Sequence, residues 1–401
     1  MSYPLVCLGQ LAKFINGDRG KNYPSKDSFV DAGIPFINAG CLSDQWLLDS
    51  SKFNYISEEA YDRLSSGKIQ KNDILFCLRG SVGKFAVIRD DNKGALASSL
   101  VILRVNGKVD IEYLKHYLAS SLCTKELDNY QNGAAQPNLS ANDFKKFLVP
   151  LPPLAEQRRI ASILDQADEL RQKRQQAIEK LDQLLQATFI DMFGDPVSNP
   201  KGWDKLTIEK MLNNDNYSLK RGPFGGALKK EIFVESGYLV YEQYHALNND
   251  FSFQRYFIDE DKYKELKAFN VKPKDIIVSC SGVNLGRLAE VPEGSPAGII
   301  NQALLKISLN QSIILNDIFI DIFMHPSFKK AFYGDFRGAA IPNFPPMSVF
   351  KEFEFIVPPL EIQKKYQSVK SQVKALQKNH QLADEMNLFS SLQNQAFNGT
   401  L

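Results

Sequence analysis

Apolar residues recur every third or fourth position from Leu154 to Phe193, in a stretch that contains no proline and no glycine. They fall at Ile160, Ile163, Leu164, Ala167, Leu170, Ala177, Ile178, Leu181, Leu184, Leu185, Phe189 and Met192. That spacing lays one stripe along an α-helix and tends towards a heptad. Pro152 and Pro153 suit the entry to a first turn, Gly194 sits where a C-terminal cap belongs, and Pro196 blocks continuation. At 1.5 Å per residue such a helix is about 60 Å long. Alone it would leave its stripe in water, so it needs a partner. The segment Leu360–Phe397 supplies one: Ile362, Tyr366, Val369, Val373 and Leu376 step by four and three, and Met386, Phe389, Leu392 and Ala396 resume after a phase shift near His380. A globular stretch lies between the two helices, so the pattern predicts that they pair as an antiparallel coiled coil.

The remainder has a different rhythm. Short β-rich runs such as IPFIN, DILFCL, FAVIR and SLVILRV are broken by Gly, Asn and Asp turns. A helix is expected over Ile111–Leu127 and another over Leu315–Phe332. Strands and helices do not alternate regularly, so the fold class is mixed α/β (α+β) and not doubly wound. These runs also occur twice. NGAAQPNLSANDFKKFLVPLPPL at Asn132–Leu154 matches RGAAIPNFPPMSVFKEFEFIVPPL at Arg337–Leu360, and Asp73–Ile88 matches Asp275–Val291. Gly33–Asn38 matches Gly237–Glu242, so the islands keep one order and an offset near 205 residues. The period is far above that of solenoid arrays. It describes a duplicated unit of domain plus helix, with loops that diverged between copies.

Composition narrows the chemistry. At 401 residues with 44% hydrophobic content, the chain can build two or three cores. No apolar stretch is long enough for a transmembrane helix and the first residues do not read as a signal peptide, so a cytoplasmic protein is expected. Five cysteines without a CxxC pair suggest free thiols, and four histidines form no HExxH pattern, so no metal site is expected. The phosphate-loop and dinucleotide glycine motifs are missing. NPKGW at Asn199–Trp203 reads as a turn and Glu260–Lys262 as a solvated charge run. A binding protein fits better than an enzyme. Net charge is only +2, so any nucleic-acid surface must be locally basic.

The join Val149–Pro196, VPLPPLAEQRRIASILDQADELRQKRQQAIEKLDQLLQATFIDMFGDP, resembles the central conserved region of type I restriction-modification specificity subunits. Leu388–Leu401 resembles their C-terminal conserved region, and the repeated QPNLS and PPLxxQ elements resemble the ends of their target recognition domains. The second copy departs at Ile362, where an acid usually precedes Gln363. The resemblance implies target recognition domains at 1–150 and 196–357 and helical regions at 151–195 and 358–401. It implies that each domain reads half of a bipartite double-stranded DNA site, that the helices fix the spacer, and that two DNA adenine methyltransferase subunits dock on them. In that picture catalysis and S-adenosylmethionine belong to those prokaryotic partners, ATP and Mg belong to a motor-nuclease subunit if one is present, and this chain holds no cofactor. A protein adaptor that does not bind DNA, a single-chain enzyme, and a subunit of a methylation-only system are the alternatives.

Candidate DNA contacts are the cations beside glycines, where backbone can approach phosphate. These are Arg19, Lys21, Arg79 and Lys84 in the first copy, and Lys220, Arg221, Lys229, Lys230 and Arg287 in the second. The helix-pairing candidates are Leu154, Ile160, Leu164, Leu170, Leu181 and Leu185 against Ile362, Tyr366, Val369, Val373 and Leu376. Arg158, Arg159, Arg171, Lys173 and Arg174 are expected to be solvated or partner-facing.

Overall fold

In a computed structural model, residues 3–20, 22–130, 138–224, 226–282, 284–334, 344–380 and 384–401 are described. Lys21, Val283 and much of both repeated segments, 132–137 and 337–343, lie outside them. The chain divides into two compact units. The first holds Met1–Gln176 with Gln381–Leu401, and the second holds Ala177–His380.

Unit 1 opens with β1 (Leu5–Cys7), β2 (Ala12–Asn16), β3 (Ile34–Ile37) and β4 (Asn54–Ile56), then α1 (Glu58–Arg63). It continues with β5 (Ile74–Cys77), β6 (Phe85–Val87), β7 (Ala95–Leu96) and β8 (Leu100–Val105). Two helices, α2 (Ile111–Leu118) and α3 (Ser121–Tyr130), precede α4 (Ala141–Phe144), β9 (Leu148–Pro150) and α5 (Leu154–Phe193). One antiparallel sheet runs β2-β8-β5-β6 and a second runs β4-β3-β7, in which β3 and β7 are parallel. β1 and β9 form a separate antiparallel ribbon. Side chains alternate faces along a strand. Ile74 and Phe76 of β5 therefore enter the core under α2 and α4, while Leu75 and Cys77 enter a core shared with Ile37 and Leu96 of the other sheet. Both faces of β5 are covered, which is why its sequence is apolar without a break.

Unit 2 repeats this. It contains β10 (Lys205–Thr207), α6 (Ile208–Met211), β11 (Leu219–Arg221), β12 (Tyr238–Tyr241), α7 (Gln243–Asn248), β13 (Phe257–Ile258), α8 (Glu260–Glu265) and β14 (Asn270–Val271). Then come β15 (Ile276–Ser279), β16 (Leu288–Glu290), β17 (Gly298–Ile300), β18 (Leu304–Ile307), α9 (Asn316–Met324), α10 (Pro326–Tyr333), α11 (Met347–Glu352), β19 (Glu354–Ile356) and α12 (Leu360–His380). α13 (Asp384–Asn398) returns to unit 1. The orders β11-β18-β15-β16, β13-β12-β17-β14 and β10-β19 reproduce the first unit's sheets, with β14 added at one edge. The tandem duplication is thus one topology built twice.

Each expected domain helix is broken in two. In unit 1 the Ala119–Ser120 turn separates α2 from α3, with the Ser120 hydroxyl accepting the Cys123 N–H. In unit 2 Pro326 occupies the first turn of α10 and holds His325 in extended backbone. The second long helical segment is described as α12 and α13, and residues 381–383 between them lie outside the described residues. α5 ends as its sequence predicts: Gly194 adopts φ +75°, its N–H bonds the Ile190 carbonyl at 2.8 Å, and the Trp203 indole donates to the Phe193 carbonyl at 2.9 Å. NPKGW is a turn. Among the described residues no helix is long and apolar enough to cross a membrane.

Candidate nucleic-acid interface

In each unit three loops meet at one end of the long sheet. They are the loop leaving its first strand, the glycine turn after its central strand, and the turn entering its longest partner strand. Matching backbone bonds tie the second of these to the third and both to neighbouring segments, while the first lies against the third at Gly17 and at Gly222. In unit 1 the N–H of Ala97 bonds the Ile37 carbonyl at 2.7 Å, Leu78 bonds Ser99 at 2.9 Å, and Leu139 bonds Leu78 at 2.9 Å. In unit 2 Asn301 bonds Tyr241 at 2.9 Å, Cys280 bonds Ala303 at 2.8 Å, and Phe344 bonds Cys280 at 2.9 Å. The glycine turns match too, with Gly80 and Gly83 at φ +80° and +93° and Gly282 and Gly286 at +81° and +74°. Side chains with a Cβ rarely adopt this region, so the turns need glycine.

The loops place the sequence candidates as follows. In unit 1 Arg19 is exposed and donates to the Ser98 carbonyl at 3.3 Å. Its neighbour Asp18 is buried and organises the loop, accepting from the Gly20 N–H at 2.8 Å and from both the N–H and hydroxyl of Ser65 at 2.9 Å. The Gly20 N–H, then the Ser65 groups, hold its carboxyl below the usual range. Arg79 is exposed and makes no ion pair among the described residues. Lys84 instead bonds Asp44 at 2.8 Å. Lys21 lies outside the described residues.

In unit 2 the Lys220 ammonium sits 5.4 Å from the Phe269 ring centroid and 6.0 Å from that of Tyr217. The Arg221 guanidinium lies 5.5 Å from the Phe224 ring, and its Nε is buried without a hydrogen-bond partner. Lys229, Lys230 and Arg287 are exposed and form no ion pair among the described residues. Arg287 faces Lys329, whose own ammonium is pushed below its usual range by burial first and by that guanidinium second. Sequence reasoning passed over Phe224, Gln243, Asn301 and Gln302. The Gln243 amide bonds the Ser279 hydroxyl and the Ser281 carbonyl, each at 2.9 Å, and so links loop to turn. Only the repeat offset, which sets Phe224 opposite Arg19 and Gln302 opposite Ser98, could have pointed to these positions.

Behind each domain lies the joint to its helix. Gln157 and Gln363, the glutamines of PPLxxQ, are buried. The Gln157 carbonyl accepts the Asp110 N–H at 2.7 Å while its amide donates to Pro152 at 2.8 Å and Lys108 at 3.3 Å. Gln363 accepts the Leu315 N–H at 2.8 Å and donates to Pro358 at 2.7 Å and Ile313 at 3.0 Å. Beside them the charges are inverted. In unit 1 the domain helix supplies the cation: Lys115 of α2 contacts Asp165 of α5 at 2.6 Å, with the His116 imidazole beside it at 2.8 Å. In unit 2 it supplies anions: Asp317 and Asp321 of α9 hold Lys370 of α12 at 3.2 and 2.7 Å.

The helices run antiparallel within each unit. In unit 1 Arg159 bonds the Leu401 carbonyl and Arg171 lies over Phe389, so an advance on α5 matches an equal retreat along α13. In unit 2 Asp182 bonds Gln377, and Phe193 packs edge-on against Tyr366. Of the pairing candidates, Ile160 and Leu164 join the unit 1 core with Ala396 and Phe397, and Tyr366 joins the unit 2 core with Phe189 and Phe193. Val373 is buried, and Leu181, Leu185, Ile362 and Val369 are half-buried. Leu154, Leu170 and Leu376 are exposed, so packing at those positions is slight. Arg159, Arg171 and Lys173 pair with Glu156, Asp168 and Glu169 along their own helix. Among the described residues no group of His, Cys, Asp and Glu is placed to hold a metal ion.

Comparison with known proteins follows the same lines. The family model described as type I restriction modification DNA specificity domain matches residues 3–180. The type I restriction enzyme EcoBI specificity subunit of Escherichia coli is 25% identical over 169 residues, which is 41% of this chain and 35% of that protein. The MjaIX specificity subunit of Methanocaldococcus jannaschii is 24% identical over 360 residues, 84% of this chain and 79% of that protein. The chain thus spans about a third of the first relative and most of the second. Among solved structures, a chain from a study of complex assembly and conformational transition of the type I R-M system superposes with TM-score 0.60 at 16% identity, covering 100% of this chain and 98% of that one. The type I S subunit from M. genitalium gives TM-score 0.58 at 16% identity, with 99% and 96% covered. At these identities the likeness is one of fold.

Proposed function

We propose that this chain, whose residues 3–180 match the type I restriction modification DNA specificity domain, is a specificity subunit of that family and that its two units read the two halves of a bipartite, asymmetric DNA site. As a specificity subunit it is the non-catalytic member of its complex. The observation that carries the reading is that the same three loops meet in both units while the side chains on them differ. Asn16 stands where the other unit has Arg221, Arg19 where it has Phe224, and Ser98 where it has Gln302. One scaffold with unlike side chains suits two unlike half-sites. Arg79, Lys229, Lys230 and Arg287, exposed and without an ion pair among the described residues, are suited to phosphates, which position a protein on the duplex, whereas base edges specify the sequence.

In this reading α5, α12 and α13 set the spacer and dock two adenine methyltransferase subunits, which bring S-adenosylmethionine. A motor-nuclease subunit that uses ATP and Mg completes the restriction complex. The test is exchange. With residues 1–150 replaced by those of another specificity subunit, mapping of methylated adenines is expected to change one half of the motif and preserve the other, and change in both halves refutes the modular reading. Binding should also weaken steeply with salt. Four phosphate contacts give a log–log slope of about −3 to −4, and Lys230→Ala should reduce its magnitude by about 1.

A further inference from the structure

The least explained side chains at the loop end of unit 2 are Arg221 and Phe224. Phe224 is 67% exposed. Its ring faces the Arg221 guanidinium at 5.5 Å. Among the described residues Arg221 has no ion-pair partner, and its buried Nε has no hydrogen-bond partner. A donor buried without an acceptor is costly. Among the described residues, no protein group therefore holds the Arg221 guanidinium by a hydrogen bond or ion pair.

The loop is also pressed onto its neighbour. At Gly222 a Cβ would stand 1.8 Å from the Asn301 carbonyl oxygen, so the backbone between Arg221 and Phe224 lies flush against the Asn301–Gln302 turn. Lys220, Lys229 and Lys230 flank it. This is a cationic setting for a polyanion, with one aromatic and one forked donor at its centre.

Resting on the reading that unit 2 binds one half-site, we propose that Arg221 and Phe224 are its specificity-determining residues in the major groove, Arg221 taking guanine O6 and N7 and Phe224 packing on the methyl of an adjoining thymine. Arginine is the side chain whose fork matches the two guanine acceptors, and an aromatic ring is among the groups that contact the thymine methyl. The Phe224 ring lies against the guanidinium in a cation–π contact. Unit 1 has Asn16 and Arg19 at these places, so the pair belongs to one half-site alone.

The experiment uses the whole chain in complex with its methyltransferase partner. Arg221→Gln, Arg221→Lys, Phe224→Ala and Phe224→Leu are compared with wild type by motif mapping on a randomised plasmid library. The expected result is relaxed selection at one guanine for Arg221→Gln and at its neighbouring thymine for Phe224→Ala, by about 10- to 100-fold each. Phe224→Leu should retain part of the thymine preference. The half-site assigned to residues 1–150 should stay intact, which also controls for folding. On defined duplexes, uracil for that thymine and 7-deazaguanine for that guanine should weaken wild-type binding, and each effect should vanish in the matching Ala or Gln variant. An intact two-part motif that ignores both residues, or a uracil effect unchanged in Phe224→Ala, overturns this proposal alone. A wild-type motif that does not respond to exchange of residues 1–150 overturns the underlying reading, and this proposal with it.

Discussion

A glutamine amide offers one acceptor and two donors, and at Gln157 and Gln363 these groups are spent on backbone. Each amide bridges the loop before a domain helix and the prolines that start a long helix. Gln157→Leu keeps the volume and strands the Asp110 N–H and two carbonyls, so it should lower unfolding free energy by about 1–3 kcal/mol in chemical denaturation. Gln363→Leu should do the same through Leu315. Full stability in either variant would refute the bridging role. The PPLxxQ spacing is plain in the sequence, yet the role of its glutamine was not, because the backbone it grips lies 47 and 48 residues earlier. Phe224 was hidden for a similar reason. Its neighbours in sequence are glycine and proline, and only folding sets the Arg221 guanidinium against its ring.

Elements were legible where periodicity was long. Both ends of α5 agree with its apolar stripe and caps, since a run of 40 residues carries its own signal. The domain helices were misjudged at their breaks. Pro326 was a visible stop that apolar spacing overrode, whereas the Ala119–Ser120 turn has no breaker residue and is set by packing. How helix meets domain was not legible either, because the charges at the two joints are opposite in order. Burial alone would raise the Asp165 carboxyl, but bonds from His116 and Lys115 outweigh it and hold the group at about 2. A carboxyl lowered by folding stabilises fully above its unfolded value near 4, and that contribution is lost as pH falls towards 2. Acid titration should therefore loosen unit 1 within that window, and Asp165→Asn should be less stable at neutral pH and flatter below pH 4. An Asn variant with the wild-type acid profile would exclude the clasp. In unit 2 Lys370→Met leaves Asp317 and Asp321 facing each other in a half-buried site. It should cost about 3–5 kcal/mol in thermal or chemical unfolding. Lys370→Asp should be worse, and no loss in either would mean the joint is held by Gln363 and Tyr366 alone.

For the whole molecule, the duplication makes sense as a way to carry two unlike sets of loops on one scaffold, with α5 belonging in part to each unit. If the paired helices set the spacer, its length should follow theirs in discrete steps. Removing 170–176 from α5 together with the facing 384–390 deletes one heptad from each partner and keeps the apolar seams in phase. Seven residues of helix are about 10 Å, or about 3 base pairs of duplex. Methylated-adenine mapping of that variant should return both half-sites unchanged and a spacer shorter by about 3 base pairs, and a matched insertion of seven residues should lengthen it equally. Removing four residues from each helix is a stricter trial. It rotates one unit by roughly a ninth of a turn relative to the other while shortening the helix by about 6 Å, so activity should fall more than the distance alone requires. A spacer that stays constant across this series would rule out the helices as its determinant.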